Sequence, residues 1–293
     1  MCRRGLFLFM SFLAAALAAE VPRKVFPFAY SQDDLPNGLR VVTIPTEFPN
    51  IVSLYIVVQT GSRNEVEPGK SGFAHLFEHM MFRGTERFPP PKYTAEVKRI
   101  GAAQNAYTDD DLTVYHTTFS NEDLDTMLML EADRFQHLKY SPDIFKTETL
   151  AVLGEYNKNS ADPAEKLFEV LRDTAFTRHT YKHTTMGFLK DVQDMPNQFD
   201  YSLKFFDRYY RPEYTTIIVA GDISHSKVRP MVDRYWAQWK RGSYRAGIPA
   251  EPPQTEPKTA HVDWPSPTLP WLVVAHHMPA YSDSNPDWPA LKL

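Results

Sequence analysis

Two histidines four positions apart, His75 and His79, stand in the stretch HLFEH with Glu78 beside the second. On a helix, the two imidazoles lie about 40° apart around the axis and about 6 Å apart along it. Both can then reach one metal ion at roughly 2.0 to 2.1 Å, the length of a zinc–nitrogen bond. A glutamate beside them can accept a proton from water that the metal acidifies. The alternative is that these polar residues form only the solvated face of a helix.

An apolar stripe supports the helix and orients it. The stripe consists of residues spaced i, i+3, i+4 and i+7, namely Phe73, Leu76, Phe77 and Met80, which predicts a helix with one face against a core. Gly84 is expected to end it, as glycine often does at a helix C-terminus. H-x-x-E-H is also the reverse of the zinc-binding pattern H-E-x-x-H. Because a five-residue pattern can occur by chance, a metal site needs a third ligand.

Candidates for that ligand are found in the predicted helix that contains TETLAVLGEYNK, where Glu148 and Glu155 are seven positions apart. Seven residues bring two side chains to within about 20° of each other around a helix, so both can face the histidines. They remain about 10.5 Å apart along the axis, which favours one metal ligand and one outer carboxylate. The spacing does not tell which is which, and the alternative for each is an ordinary exposed glutamate.

The surrounding elements predict an α+β domain over residues 25 to 240, with a mixed or antiparallel sheet packed against helices. Asn37-Gly38 indicates a hairpin, and IVSLYIVVQTG from Ile51 indicates a third, buried strand. Two strands are expected around the acidic turn of QNAYTDDDLTVYHTTFS, and another in EYTTIIVAGDI. Helices are expected over AEVKRIG, from Glu122 to His137, after Ser141-Pro142, from Pro196 and over SHSKVRPMVDRYWAQWK.

The two ends of the chain differ from this domain. Residues 1 to 18 combine two arginines, a short apolar run and an A-x-A arrangement, which predicts a cleaved secretory signal peptide and no stable membrane span afterwards. Residues 241 to 258 are rich in proline and predict a linker. Residues 259 to 293, with strands expected in AHVDWP and PWLVVAHHMPA, indicate a second domain that is only begun.

Composition limits the possible partners. The net charge of −4 and the 23% of charged residues give no electrostatic basis for binding nucleic acid. The single cysteine, Cys2, lies in the predicted signal peptide, which rules out a disulfide framework or a cysteine-bound zinc in the mature chain. We also find no G-x-S-x-G motif of a serine hydrolase.

Several stretches together resemble the pitrilysin, insulysin and mitochondrial processing peptidase family of zinc metallopeptidases. They cover about residues 26 to 290 in family order and are GFAHLFEHMMFRGTERFP, QNAYTDDDLTVYHTTF, ETLAVLGEYNK, RHTYKHTTMG and YYRPEYTTIIVAGDI. The resemblance implies one zinc ion per chain, bound by His75, His79 and Glu155. It implies that Glu78 is the general base and that Glu148 is the outer carboxylate.

The resemblance also implies partners. Asn105, Ala106 and Thr108 would lie on an edge strand beside the metal, where a substrate peptide can add as a further strand. A second half, fused or separate, would complete the chamber around the peptide. We therefore expect a secreted zinc endopeptidase that acts on peptides or unfolded segments, most simply in a bacterial periplasm. The alternative is a non-catalytic or partner-dependent peptide-binding subunit or fragment of such a protease.

Overall fold

The computed structural model of the chain describes residues 26–280 and 282. The predicted signal peptide, residues 1 to 18, lies outside the described residues. Within the described ranges, no helix is both long enough and apolar enough to pass through a membrane.

A six-stranded sheet forms the centre of the fold, with strand order β1-β2-β6-β3-β5-β4. Only β2 and β6 pair in parallel, and the other neighbours are antiparallel, so the predicted mixed sheet with helices is confirmed. The last strand enters between β2 and β3, an order that local patterns do not predict. The strands are β1 Ser31–Asp34, β2 Arg40–Pro45, β3 Ile51–Val58, β4 Ala103–Thr108, β5 Thr113–Ser120 and β6 Thr215–Gly221.

The helices of the described part agree with most of the expected ones. They are α1 Phe73–Met80, α2 Pro90–Arg99, α3 Leu124–His137, α4 Pro142–Asn159, α5 Pro163–Ala175, α6 Leu189–Asp194, α7 Phe199–Tyr209 and α8 His225–Trp236. Helix α7 begins at Phe199 and not at Pro196, because Met195–Asn197 form a separate 3-10 turn. Helices α5 and α6 were not predicted, although Asp162, which caps α5 through the N–H of Ala164, is a start signal before Pro163.

The core lies between the sheet and the helices, and α1 is part of it. The four residues of its apolar stripe are each 0% exposed, which confirms the predicted orientation of the helix. Phe77 stacks on Phe205 of α7 with ring centroids 5.1 Å apart. Tyr115 of β5 donates a 3.2 Å hydrogen bond to the carbonyl oxygen of Phe77. Helix α1 is thus held between the sheet and α7, with its polar side free for other contacts.

The segment after α8 is irregular. Residues 240 to 280 contain neither helix nor strand, so the strands expected in AHVDWP and PWLVVAHHMPA are not formed in this structure. A strand needs a neighbour to pair its backbone groups, and these residues pair with none of the six strands of the sheet. The segment is nevertheless anchored, because the Glu251 carboxylate accepts hydrogen bonds of 2.7, 2.8 and 2.8 Å from the N–H groups of Thr177, Arg178 and His179.

Candidate metal centre

Helices α1 and α4 pack together and bring three of the predicted residues into one cluster. Nε2 of His75 lies 3.6 Å from Oε2 of Glu155, and Nε2 of His79 lies 3.5 Å from the same oxygen. The two imidazole rings are 4.9 Å apart and nearly perpendicular, at 87°. One ligand atom from each of the three residues lies within 4.8 Å of the others. Two imidazole nitrogens and a carboxylate oxygen therefore converge on one point.

The separations of both histidines from Glu155 fit a zinc ion. Donors at about 2.0 to 2.1 Å from zinc in a tetrahedron stand about 3.3 to 3.4 Å from one another, close to the observed 3.5 and 3.6 Å. Two histidines and one glutamate are also a donor set of catalytic zinc sites, which keep a fourth position open. The side chain of Glu155 is 40% exposed and that of His75 is 9% exposed. The cluster is therefore partly buried but open to solvent on the side of Glu155.

Glu148 occupies a different position from Glu155. Its Oε2 lies 3.8 Å from Nδ1 of His79, the ring nitrogen that does not face Glu155. Nη2 of Arg83 donates a 2.9 Å hydrogen bond to the same oxygen, and Nε of Arg83 lies 2.9 Å from Oε1. Glu148 thus sits behind His79, where a carboxylate can orient an imidazole. Arg83 was not among the predicted site residues.

The pKa values of the two histidines are shifted in opposite directions. Burial, together with the neighbouring His79, lowers the pKa of His75 to about 4, and Glu155 opposes this shift. The Glu148 carboxylate raises the pKa of His79, and burial opposes it. Burial acts to raise the pKa of Glu148, but contacts with His79 and Arg83 outweigh it and hold that pKa below its ordinary value. His75 is therefore neutral near pH 7 and has a nitrogen lone pair available to bind a metal.

Glu78 lies on the same helix but makes a different contact. Burial raises the pKa of its carboxyl group, while a hydrogen bond from Thr108 lowers it and leaves a net increase. That bond is 2.7 Å long, from Oγ1 of Thr108 to Oε2 of Glu78. A carboxyl group with a raised pKa next to a candidate metal site is suited to accept and return protons.

The predicted edge strand is at the edge of the sheet. Strand β4 pairs with β5 on one side and has no strand on the other within the described part of the chain. It also packs against α1. Asn105 is exposed and Ala106 is buried, and Oδ1 of Asn105 accepts a 2.9 Å hydrogen bond from the N–H of Ala106. Asn105, Ala106 and Thr108 thus share the strand that contacts Glu78.

An α+β domain with H-x-x-E-H on one helix and a glutamate ligand candidate on another has the architecture of an inverzincin-type metallopeptidase domain. The model of the insulinase family, peptidase family M16, matches residues 40–188, just over half of the chain, and that of the peptidase M16 inactive domain matches residues 199–293. The chain belongs to this family, which confirms the resemblance seen in the sequence.

Named relatives and solved structures support the same family assignment. The zinc protease PqqE of Helicobacter pylori is 31% identical over 281 residues, which are 94% of this chain and 62% of that protein. A crystal structure of a protease from Helicobacter pylori has a TM-score of 0.74 at 32% identity and covers 80% of this chain and 56% of that one. The first half of the Escherichia coli periplasmic protease PqqL shares the fold, with a TM-score of 0.64, 23% identity and coverage of 76% and 49%. The chain thus spans about half to two thirds of the length of these proteins.

Proposed function

We propose that this chain is the zinc-binding part of a metalloendopeptidase that hydrolyses peptide bonds in peptides or unfolded segments. The observation that carries the proposal is the convergence of His75, His79 and Glu155, with donor separations of 3.5 and 3.6 Å. These residues would hold one zinc ion per chain. Membership of a family whose named relatives are zinc proteases supports the same activity.

Zinc, when bound, would supply a Lewis acid that acidifies water and polarises the scissile carbonyl. Glu78 is the proposed general base: its carboxylate takes a proton from the attacking water and returns it to the leaving amine. The hydrogen bond from Thr108 holds the Glu78 carboxylate in one orientation for this transfer. Glu148, fixed by Arg83, would hold the ring of His79 through Nδ1 and leave Nε2 for the metal.

Strand β4 is the proposed binding site for the substrate backbone. Its free edge can pair with an extended peptide through main-chain hydrogen bonds, which give affinity with little dependence on side chains. Asn105, Ala106 and Thr108 would contact that peptide. The hydrogen bond between Thr108 and Glu78 supports this assignment, because it puts one end of the strand beside the proposed base.

A second half or partner chain is proposed to complete the chamber. This rests on the share of its relatives that the chain covers, 62% of the Helicobacter pylori protease and 49% of a chain that is itself described as a first half. The same fact favours a second candidate function, a partner-dependent peptide-binding subunit. We further propose secretion to a periplasm, supported by the signal-like residues 1 to 18 and by the likeness to the periplasmic protease PqqL.

The test is to purify the parent chain, Glu78→Gln and a control, Glu165→Gln, which changes an exposed glutamate of α5. Zinc content and cleavage of a quenched peptide library are measured for each, with and without a chelator. We expect about one zinc per chain in all three and chelator-sensitive cleavage that only Glu78→Gln loses. Cleavage by Glu78→Gln at the parent rate would contradict the role of Glu78. A parent chain that binds zinc but cleaves no peptide would favour the partner-dependent candidate.

A further inference from the structure

A buried carboxylate from outside α1 binds the first turn of that helix. The side chain of Glu65 is 0% exposed. Its Oε2 accepts a 2.7 Å hydrogen bond from the N–H of Gly72, and its Oε1 accepts one of 2.7 Å from the N–H of Ala74. The first N–H groups of any helix have no partner within it. At α1 the local side chains do not cap them, and Glu65 does so from the preceding loop.

Further contacts hold the residues at the same end of the helix. Oγ of Ser71 donates a 2.6 Å hydrogen bond to Asp191 of α6 and accepts one of 2.8 Å from the N–H of Phe188. Gly187 packs so closely that a Cβ atom there would lie 2.7 Å from the backbone nitrogen of Gly72. The start of α1 is therefore enclosed by the preceding loop, by Gly187 and by the start of α6.

Packing by itself would hold the helix less well. The stripe that contains Phe73 and Phe77 determines which side of α1 faces the core, but hydrophobic contact is not directional. Hydrogen bonds are directional and weaken steeply with angle. His75 directly follows Ala74, whose N–H binds Glu65. A small rotation or shift of this turn would move the imidazole of His75 relative to Glu155 on another helix.

We propose that Glu65 is a positioning residue for the metal centre: its paired hydrogen bonds to Gly72 and Ala74 set the rotation and axial position of α1, and so hold His75 in reach of the ion. The inference rests on the zinc site proposed above. It gives Glu65 no contact with metal or substrate, and it predicts an effect on zinc affinity in a chain that is still folded.

The experiment compares Glu65→Gln with Glu67→Gln in the full chain. In the first variant an amide NH2 replaces one acceptor oxygen and faces a backbone N–H. Glu67 is the matched control, since it lies in the same loop, is 40% exposed, and contacts Arg208 and Tyr201 instead of α1. Zinc dissociation constants are measured by competition with a chromogenic chelator, and folding by circular dichroism. We expect zinc binding about tenfold weaker for Glu65→Gln and unchanged for Glu67→Gln.

Glu65→Asp provides a second comparison, because the shorter side chain keeps a carboxylate but cannot reach the N–H groups of both Gly72 and Ala74. We expect an affinity between those of the parent and Glu65→Gln. Should Glu65→Gln not fold, this variant decides alone. A folded Glu65 variant that binds zinc as tightly as the parent would overturn the proposal, as would failure of both variants to fold, since Glu65 would then serve the whole fold. A parent chain that binds no zinc would instead refute the metal site itself.

Discussion

The hydroxyl of Thr108 donates a 2.7 Å hydrogen bond to Oε2 of Glu78. Thr108 is the last residue of the edge strand β4, and Glu78 lies in the helix that carries both histidines. The contact therefore connects the strand proposed to bind substrate with the carboxylate proposed to act as base. Thr108 and Glu78 are far apart in the sequence, so their hydrogen bond depends on the packing of α1 against β4.

Replacing Thr108 by valine should change the pH dependence of activity. Burial raises the pKa of Glu78 and the Thr108 hydrogen bond lowers it, so Thr108→Val should raise that pKa further. The ionised base is then lost at a higher pH as the solution is acidified. We expect the acid limb of the kcat/KM profile to move to higher pH in Thr108→Val and to stay in place in Thr108→Ser, which keeps the hydroxyl. Identical acid limbs in the parent and Thr108→Val would contradict the role of this bond.

Replacing Glu155 by glutamine should remove most of the zinc affinity. The exchange keeps the shape of the side chain but takes away the charged oxygen that both Nε2 atoms face. We expect affinity to fall by more than about 100-fold, beyond the loss typical of an outer-shell change, with the chain still folded. Chelator competition measures the effect, and Glu165→Gln on the exposed side of α5 serves as control. Equal zinc affinities for Glu155→Gln and this control would show that Glu155 is not a zinc ligand.

Arg83 should matter through Glu148. Arg83→Met keeps the apolar stem but leaves the nearly buried Glu148 carboxylate, 5% exposed, without its cation. Glu148 then no longer has a fixed orientation toward Nδ1 of His79, and we expect zinc binding about tenfold weaker. Arg83→Lys should restore it only in part, because an ammonium group is a point charge and not a planar fork. Zinc titration tests this against Arg87→Met, which changes an exposed arginine in the loop that follows. Equal losses of zinc affinity in the two variants would exclude a specific role for Arg83.

Glu251 should stabilise the fold in a pH-dependent way. Burial acts to raise its pKa, but hydrogen bonds from His179, Arg178 and Thr177 outweigh it and lower the pKa to about 2. A depressed pKa in the folded state adds stability above the unfolded value of 4.5 and loses it as pH falls toward 2. Because solvent still reaches this half-buried side chain, we expect Glu251→Gln to lower the free energy of unfolding by only about 1 kcal/mol at pH 7.

Urea unfolding at pH 7, 5, 4 and 3 would measure that difference for Glu251. The gap between the parent and Glu251→Gln should narrow as the pH falls through this range. Glu256→Gln, an exposed change in the same segment, should show no gap at any pH. A difference that is constant from pH 7 to pH 3 would mean that the ionised carboxylate is not its source.

Local patterns in the sequence were enough to predict the elements that carry the site. The 3.6-residue period of Phe73, Leu76, Phe77 and Met80 predicted both α1 and its buried face, and the structure confirms both. Glu148 and Glu155 could be placed on one face of a helix for the same reason. Asp162 and Pro163 are equally local signals for the start of α5, which was not predicted.

Other features depend on contacts between segments that are distant in the sequence. Helical spacing could not distinguish Glu148 from Glu155; in the structure Glu155 faces both Nε2 atoms, while Arg83 holds Glu148 behind His79. The insertion of β6 between β2 and β3 and the capping of α1 by Glu65 were not predictable either. The physical reason is that hydrophobic periodicity shows only which face of a segment is buried, not which other segment it packs against. Distances between side chains of different segments are fixed only when the whole chain has packed.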